Sequence, residues 1–268
     1  MKIISYQGQL LKKLGIDSYE ELESSRRAQK RFIKLWRNKK MTPELISHLQ
    51  RTNPIVSRIT VEIDAKYFMA PEKIMSLSEL HQSDLRPVSG VYGWYFRKIP
   101  PHIPTKECEY TRWWGRKWKL LYIGLGQNLR SRILNMHFNG DADSSSLRLS
   151  LGCLLCRKLR IYLWKYPDFP KRKYTFGHKG EQKLSEWMAD YARVAWRECP
   201  NYVELEEQAI DEYTLPLNTE NNKRPFEPLR ILKKSLRHIA PVVGSKEPHK
   251  ATRKAYKDFK KKCKQEIL

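Results

Sequence analysis

The side chains best placed for chemistry in this sequence are two tyrosines, a pair of arginines, a histidine and a crowd of carboxylates. Tyr92 lies in the apolar run Gly90-Val91-Tyr92-Gly93-Trp94-Tyr95, and Tyr122 in Leu120-Leu121-Tyr122-Ile123-Gly124. After Gly124 and Gly126, which permit a tight turn, come Asn128, Arg130, Arg132 and His137. Further on, Glu204, Glu206 and Glu207 share one short segment of an otherwise strongly basic chain. A guanidinium grips two phosphate oxygens with its planar fork and never loses its charge. A lone carboxylate holds Mg²⁺ when water and phosphate oxygens complete the shell. An imidazole passes protons near neutrality. A phenol with a pKa of about 10 is a poor base unless nearby positive charge stabilises the phenolate.

These groups need a scaffold. Gly90 to Phe96 and Leu120 to Gly124 read as paired strands, and a basic helix follows the Gly-rich turn. Residues 97–117 read as an insertion rich in proline, which argues against a regular helix. Its Arg112, Arg116 and Lys117, mixed with tryptophans, suit contact with phosphates and bases. Asp143 or Ser144 can cap a helix through Leu149 and Leu155, and Arg148 at its start is a candidate phosphate contact. Leu159 to Trp164 is strand-like. A helix from Gly180 to Tyr191 buries Leu184, Trp187 and Met188, and Arg193 to Cys199 alternates as a third strand. Tyr202 opens the last helix of this block, which ends towards Leu215-Pro216-Leu217-Asn218.

Gly90-Val91-Tyr92 and Tyr122-Ile123-Gly124, in order and followed by Asn128-Leu129 and Arg132, resemble the paired motifs of the GIY-YIG nuclease family. Valine stands here in place of the isoleucine of the first motif. The resemblance covers about residues 87–222. It implies an α/β (α+β) fold, a small three-stranded antiparallel sheet flanked by helices, and metal-assisted hydrolysis of a phosphodiester. It also implies site residues. Arg132, ten residues after Tyr122, holds the place of a catalytic arginine. Tyr92 is then the base or orients the attacking water, and Tyr122 orients the same water or bonds the phosphate. His137 accepts or relays a proton. Counting back from Asn218 puts Glu206 in the place of the metal-binding glutamate, with Glu207 as the one-residue alternative. Asn218 fixes the wall of the site, and Arg130 makes a supporting contact or meets nucleic acid. The cofactor implied is Mg²⁺ or Mn²⁺.

Composition agrees with a polyanionic partner. Against 29 Asp and Glu stand 52 Lys and Arg, a formal charge of +23 over 268 residues, so nucleic acid is the first candidate. Composition does not separate DNA from RNA, and it is the resemblance that implies double-stranded DNA. No run of about 18 apolar residues spans a membrane. The N-terminus lacks an apolar signal core, so a cytoplasmic protein, or one at the nucleoid, is expected. Five scattered cysteines make no disulfide framework. Cys153-x-x-Cys156, without a second pair, reads as buried thiols rather than zinc ligands.

The expected organisation is a mostly helical N-terminal extension over 1–85, a nuclease-like domain over 86–222 with insertions at about 97–117 and 160–190, and a basic tail over 223–268. In the extension, a basic amphipathic helix runs from Tyr19 towards Trp36, a short helix starts at Pro43, and Ile55 to Ile63 alternates like a strand. The functional expectation is a divalent-metal-dependent DNA endonuclease in restriction, mobile-element or phage-defence biology. The alternatives are a non-catalytic nucleic-acid-binding protein of the same fold, and an RNA-cleaving or repair nuclease.

Overall fold

A computed structural model describes residues 65–167 and 173–266. The helices and strand expected before residue 65 lie outside the described residues. The fold is α+β, built on a curled sheet with helices on both faces. In chain order the sheet uses β1 (Gly90–Phe96), β2 (Tyr110–Trp113), β3 (Arg116–Gly126) and β6 (Ala192–Glu198). The spatial order is β2-β3-β1-β6, and all pairs are antiparallel. A separate two-stranded ribbon joins β4 (Trp164–Lys165) to β5 (Tyr174–Thr175). The helices are α1 (Ser131–Phe138), α2 (Ser146–Leu159), α3 (Gly177–Tyr191), α4 (Tyr202–Glu212), α5 (Glu227–Ile239) and α6 (His249–Glu266).

Every residue of β1 is buried, because β1 sits between β3 and β6 with helices over both faces. Its even positions, Tyr92, Trp94 and Phe96, join the core formed with α2, α3, α5 and α6. Its odd positions, Val91 and Tyr95, join a second core under α4. That is the period-two alternation of a strand, with apolar residues on both sides. Gly90 is a close-approach glycine: a Cβ there would come 2.2 Å from the Arg197 carbonyl oxygen on β6.

The sheet has four strands, not the three expected from the sequence. The fourth, β2, comes from the segment read as an irregular insertion. Its residues alternate between exposed and half-buried. Trp114 and Gly115 both take positive φ, 48° and 69°, so the chain reverses in a two-residue hairpin turn whose twist suits flanking strands. The prolines at 100, 101 and 104 precede β2 and leave its ladder intact. The run Leu159 to Trp164, read as strand-like, instead ends α2, and only Trp164–Lys165 pairs.

The segment read as a basic tail contains two packed helices. α5 buries Leu229, Leu232 and Leu236, which stabilises the fold by roughly 1.5–3 kcal/mol per side chain. α6 buries Thr252, Tyr256, Phe259 and Cys263, three or four residues apart, so one face meets the core. Its lysines and arginine remain on the exposed face. The Tyr256 hydroxyl donates to the Leu154 carbonyl at 3.1 Å. Among the described residues no helix is long and apolar enough to cross a membrane.

Candidate active site

The register of β1 on β3 creates the centre of the site. Tyr92 pairs with Gly124, and Trp94 with Tyr122, so the two tyrosines project from one face on adjacent strands. Their ring centroids are 6.5 Å apart. The Tyr92 ring lies over Gly124, where a Cβ would come 2.5 Å from its hydroxyl oxygen. Any larger residue at 124 would push the phenol away.

After Gly126 the chain enters α1, which is wound with wide hydrogen bonds: the Asn139 N–H reaches back to the Leu134 carbonyl, 3.0 Å away. Residues five apart in an ordinary α-helix diverge by about 140°. The wider winding, frequent at functional sites, brings Arg132 and His137 to the same oxygen. Arg132 Nε donates to the Tyr92 hydroxyl at 3.2 Å. His137 Nε2 lies 2.5 Å from it. Arg132 Nη1 also donates to the Ser144 carbonyl at 3.0 Å.

The loop into α2 closes the network. Ser145 caps α2, accepting the Arg148 N–H at 3.1 Å, and its hydroxyl lies 2.6 Å from His137 Nδ1. The Ser146 hydroxyl meets the Tyr122 hydroxyl at 2.9 Å. His137 is fully buried, and burial, with Arg132 and Arg148 nearby, holds its pKa well below the ordinary value. The ring is therefore neutral, with one nitrogen donating and the other accepting. Burial and the neighbouring Tyr122 push the Tyr92 phenol well above 10, and Arg132 offsets this only in part. Tyr92 is thus a phenol at rest. Its hydroxyl already accepts from Arg132, so its own proton goes to His137 Nε2. Nδ1–H then donates to Ser145 Oγ, so both ring nitrogens are paired.

Glu206 reaches the site from the other face. Among the described residues, no strand lies beside the outer edge of β3 beyond Leu120. The Leu217 N–H bonds to the Leu121 carbonyl at 3.1 Å. The Asn218 amide accepts from the Ile123 N–H at 3.0 Å and donates to its carbonyl at 2.7 Å. The Leu125 N–H bonds to the Glu206 carboxylate. Buried Leu205, Ala209 and Ile210 hold α4 on the sheet. Glu206 is half-buried, whereas Glu204 and Glu207 are exposed. Burial raises the Glu206 carboxyl to about 7, against the lowering effects of the Leu125 N–H and Arg132.

Tyr122, Arg132, Ser146, Glu206 and Asn218 line one pocket of about 280 Å³, with Thr219 and Glu220 on its rim. The rim is held from α5, where buried Lys233 donates to Thr219 Oγ1 at 2.6 Å and pairs with Glu220 at 3.3 Å. Tyr92 and His137 sit behind Arg132, joined to the pocket by its guanidinium.

Arg148, read from sequence as a phosphate contact, is fully buried. It pairs with Glu181 at 2.7 Å and donates to the His137 and Phe138 carbonyls at 3.0 and 2.9 Å. Glu181 supplied the partner that let this charge leave water, so Arg148 braces the end of α1 and is closed to nucleic acid. Arg148→Met should lower unfolding stability by about 3–5 kcal/mol, because Glu181 is left buried without a counter-charge. In urea melts the exposed Arg116→Met should shift stability by no more than about 0.5 kcal/mol.

Arg130 Nε is committed to the Leu85 carbonyl at 2.7 Å. Arg112, Arg116 and Lys117 are exposed on the β2–β3 hairpin, and none lines the pocket. Ser145, Ser146, Glu181 and Lys233 were not expected in the site. The cap expected at Asp143 or Ser144 falls on Ser145, whose side chain also meets His137, while Ser146 meets Tyr122. The cysteines at 153 and 156 are buried in the core, their thiols pushed by burial to about 12.

Among the described residues, no group of three or more His, Cys, Asp or Glu is gathered as a metal cluster. The chemistry of the donors is nonetheless suited to a hard cation. Glu206 is a half-buried carboxylate facing an open pocket, where waters and phosphate oxygens can supply the remaining ligands, and Glu220 on the rim is paired with Lys233.

Residues 90–238 match the family model described as the GIY-YIG catalytic domain. The match starts at β1 and runs through nearly all of α5, beyond residue 222. No curated protein and no solved structure matches the chain.

Proposed function

This chain belongs to the GIY-YIG catalytic-domain family, whose function is of nuclease type, and we propose that it is a divalent-metal-dependent endonuclease acting on double-stranded DNA. The observation that carries this reading is the convergence of Arg132 and His137 on the Tyr92 hydroxyl, beside a pocket lined by Glu206.

In this mechanism Tyr92 takes a proton from the attacking water as its own proton passes to His137 Nε2. The water oxygen then forms its bond to phosphorus with negative charge on the phosphate oxygens, and the P–O bond to the leaving oxygen breaks with its electron pair. Solvent in the open pocket protonates that oxygen, and His137 returns its proton through Tyr92 to solvent. Arg132 bridges the buried phenol and the pocket, so its guanidinium serves both the phenol oxygen and the phosphate. Preorganised charge of this kind often dominates catalysis. Tyr122, fixed by Ser146, orients water or phosphate. Asn218 holds the wall. Glu206 is the residue that would hold Mg²⁺ or Mn²⁺, which would supply Lewis-acid stabilisation of the phosphate and leaving oxygen. The exposed Arg112, Arg116 and Lys117, with the basic face of α6, supply phosphate contacts that weaken as salt rises. The proposed setting is cytoplasmic or nucleoid-associated, in restriction, mobile-element or phage-defence biology.

The test is cleavage of supercoiled plasmid, beside single-stranded RNA, in Mg²⁺, Mn²⁺ or EDTA. Metal-dependent nicking or linearisation of the plasmid is expected. Cleavage of RNA alone would overturn the DNA assignment. Salt-sensitive binding with no cleavage in any metal would make the protein a binding module of the same fold.

Tyr92→Phe gives a narrower expectation. The ring stays packed, but the proton path to His137 is cut. Cleavage should fall by about 10²–10⁴-fold, and circular dichroism should show the fold retained.

A further inference from the structure

The tip of the β2–β3 hairpin carries a side chain that neither the core nor the pocket explains. Trp114 is 76% exposed, the most open of the large hydrophobic residues described. It stands at the first turn position with φ at 48°. A two-residue turn of this kind favours Asn-Gly, and a bulky residue in the left-handed region is costly. The turn alone would be better made without it.

The ring is supported from behind and open in front. The Arg193 guanidinium lies over it, 5.5 Å from the centroid. The Trp113 ring is nearly parallel to it, at 23° and 6.4 Å. Exposed Arg112, Arg116 and Lys117 share its hairpin, and Lys117 Nζ lies 3.6 Å from the centre of the Tyr110 ring. An open aromatic face among fixed positive charges matches a ligand that is both flat and anionic. Nucleobases have the flat face, and their phosphates carry the charge. A protein surface partner would not need three exposed cations on the hairpin that carries this tryptophan.

We propose that Trp114 is a stacking platform for an unpaired base, and that the protein prefers DNA in which a duplex adjoins unpaired nucleotides. This rests on the nuclease reading above. At about 3.3 Å per residue, the six steps of β3 from Arg116 to Tyr122 span roughly 20 Å. That corresponds to about six base steps of a strand, so one DNA can meet the pocket and the hairpin tip together. Base–aromatic stacking tolerates any base sequence. The platform therefore selects the structure of the DNA rather than its letters.

The test uses full-length protein in EDTA with two DNA probes, a perfect duplex and the same duplex with a two-nucleotide gap opposite 2-aminopurine. Wild type should bind the gapped probe about tenfold more tightly and quench the 2-aminopurine emission. Trp114→Asn restores a residue that favours the turn, so its melting temperature should not fall. Its preference ratio should drop to near one, and quenching should be lost. Trp114→Phe should keep part of both. A Trp114→Asn protein that retains preference and quenching would overturn the platform. So would a wild type that binds both probes equally. Plasmid cleavage in Mg²⁺ separates the two ideas. Cleavage without gap preference removes only the platform, and absence of cleavage removes the nuclease reading.

Discussion

Arg132→Ala should reduce cleavage by about 10³-fold or more, with DNA binding within a few-fold of wild type. Among the described residues, Arg132 is the one cation that touches both the Tyr92 hydroxyl and the pocket. Its loss removes charge stabilisation where charge develops, an effect of roughly 10²–10³-fold for a single preorganised donor. It also removes the group that opposes the burial of the phenol, so the proton transfer itself becomes harder. Binding survives because the hairpin and α6 keep their basic residues. Arg132→Lys should restore only a small part of the rate, since a point charge cannot span phenol and phosphate as the fork does. Single-turnover cleavage and equilibrium binding on the same DNA would separate these effects. Cleavage by Arg132→Ala at the wild-type rate would remove this residue from the mechanism.

Glu206→Gln should abolish metal-dependent cleavage and also change how stability responds to pH. The first effect follows from losing the half-buried carboxylate of the pocket, since Glu220 on the rim is paired with Lys233. Glu207→Gln, whose side chain points to solvent, should leave most activity. The second effect needs no metal and can be read in EDTA. Burial raises the Glu206 carboxyl from 4.5 to about 7. The folded state therefore holds this proton more tightly than the unfolded state. Stability falls as pH rises between these values and stays low above about 7. Glu206→Gln has no such proton, so the variant should melt higher than wild type at pH 8, with the difference vanishing near pH 4. A carboxylate kept ready for a cation is costly to the empty protein, which is common at functional sites. Equal melting temperatures at pH 8 would show that Glu206 is more solvated than its contacts indicate.

The sequence by itself determined the motifs, their order and the family. Tyr92 and Tyr122 each lie in an apolar run beside glycine, and Arg132 follows at a fixed offset. These are local facts, written into strand period and turn chemistry. The α+β class, three of the four strands of the main sheet and the helix bearing Glu206 were legible for the same reason. Only the tertiary structure decided which charged groups face the pocket. Arg148 and Arg132 are the same residue type on adjoining segments. One is buried because Glu181, on a distant helix, pairs with it; the other stays at the pocket edge. The wide winding of α1 has no periodic signature, so the joint reach of Arg132 and His137 to one oxygen was not readable. Nor was the fourth strand, since pairing with β3 decides whether a proline-bearing segment becomes an edge strand. Lys233 read as part of a basic tail because its own neighbours are basic. The apolar stripe beside it packs α5 into the core, and that packing brings the ammonium to the pocket rim. A charge is solvated or buried according to partners far away in sequence, and only folding brings those partners together.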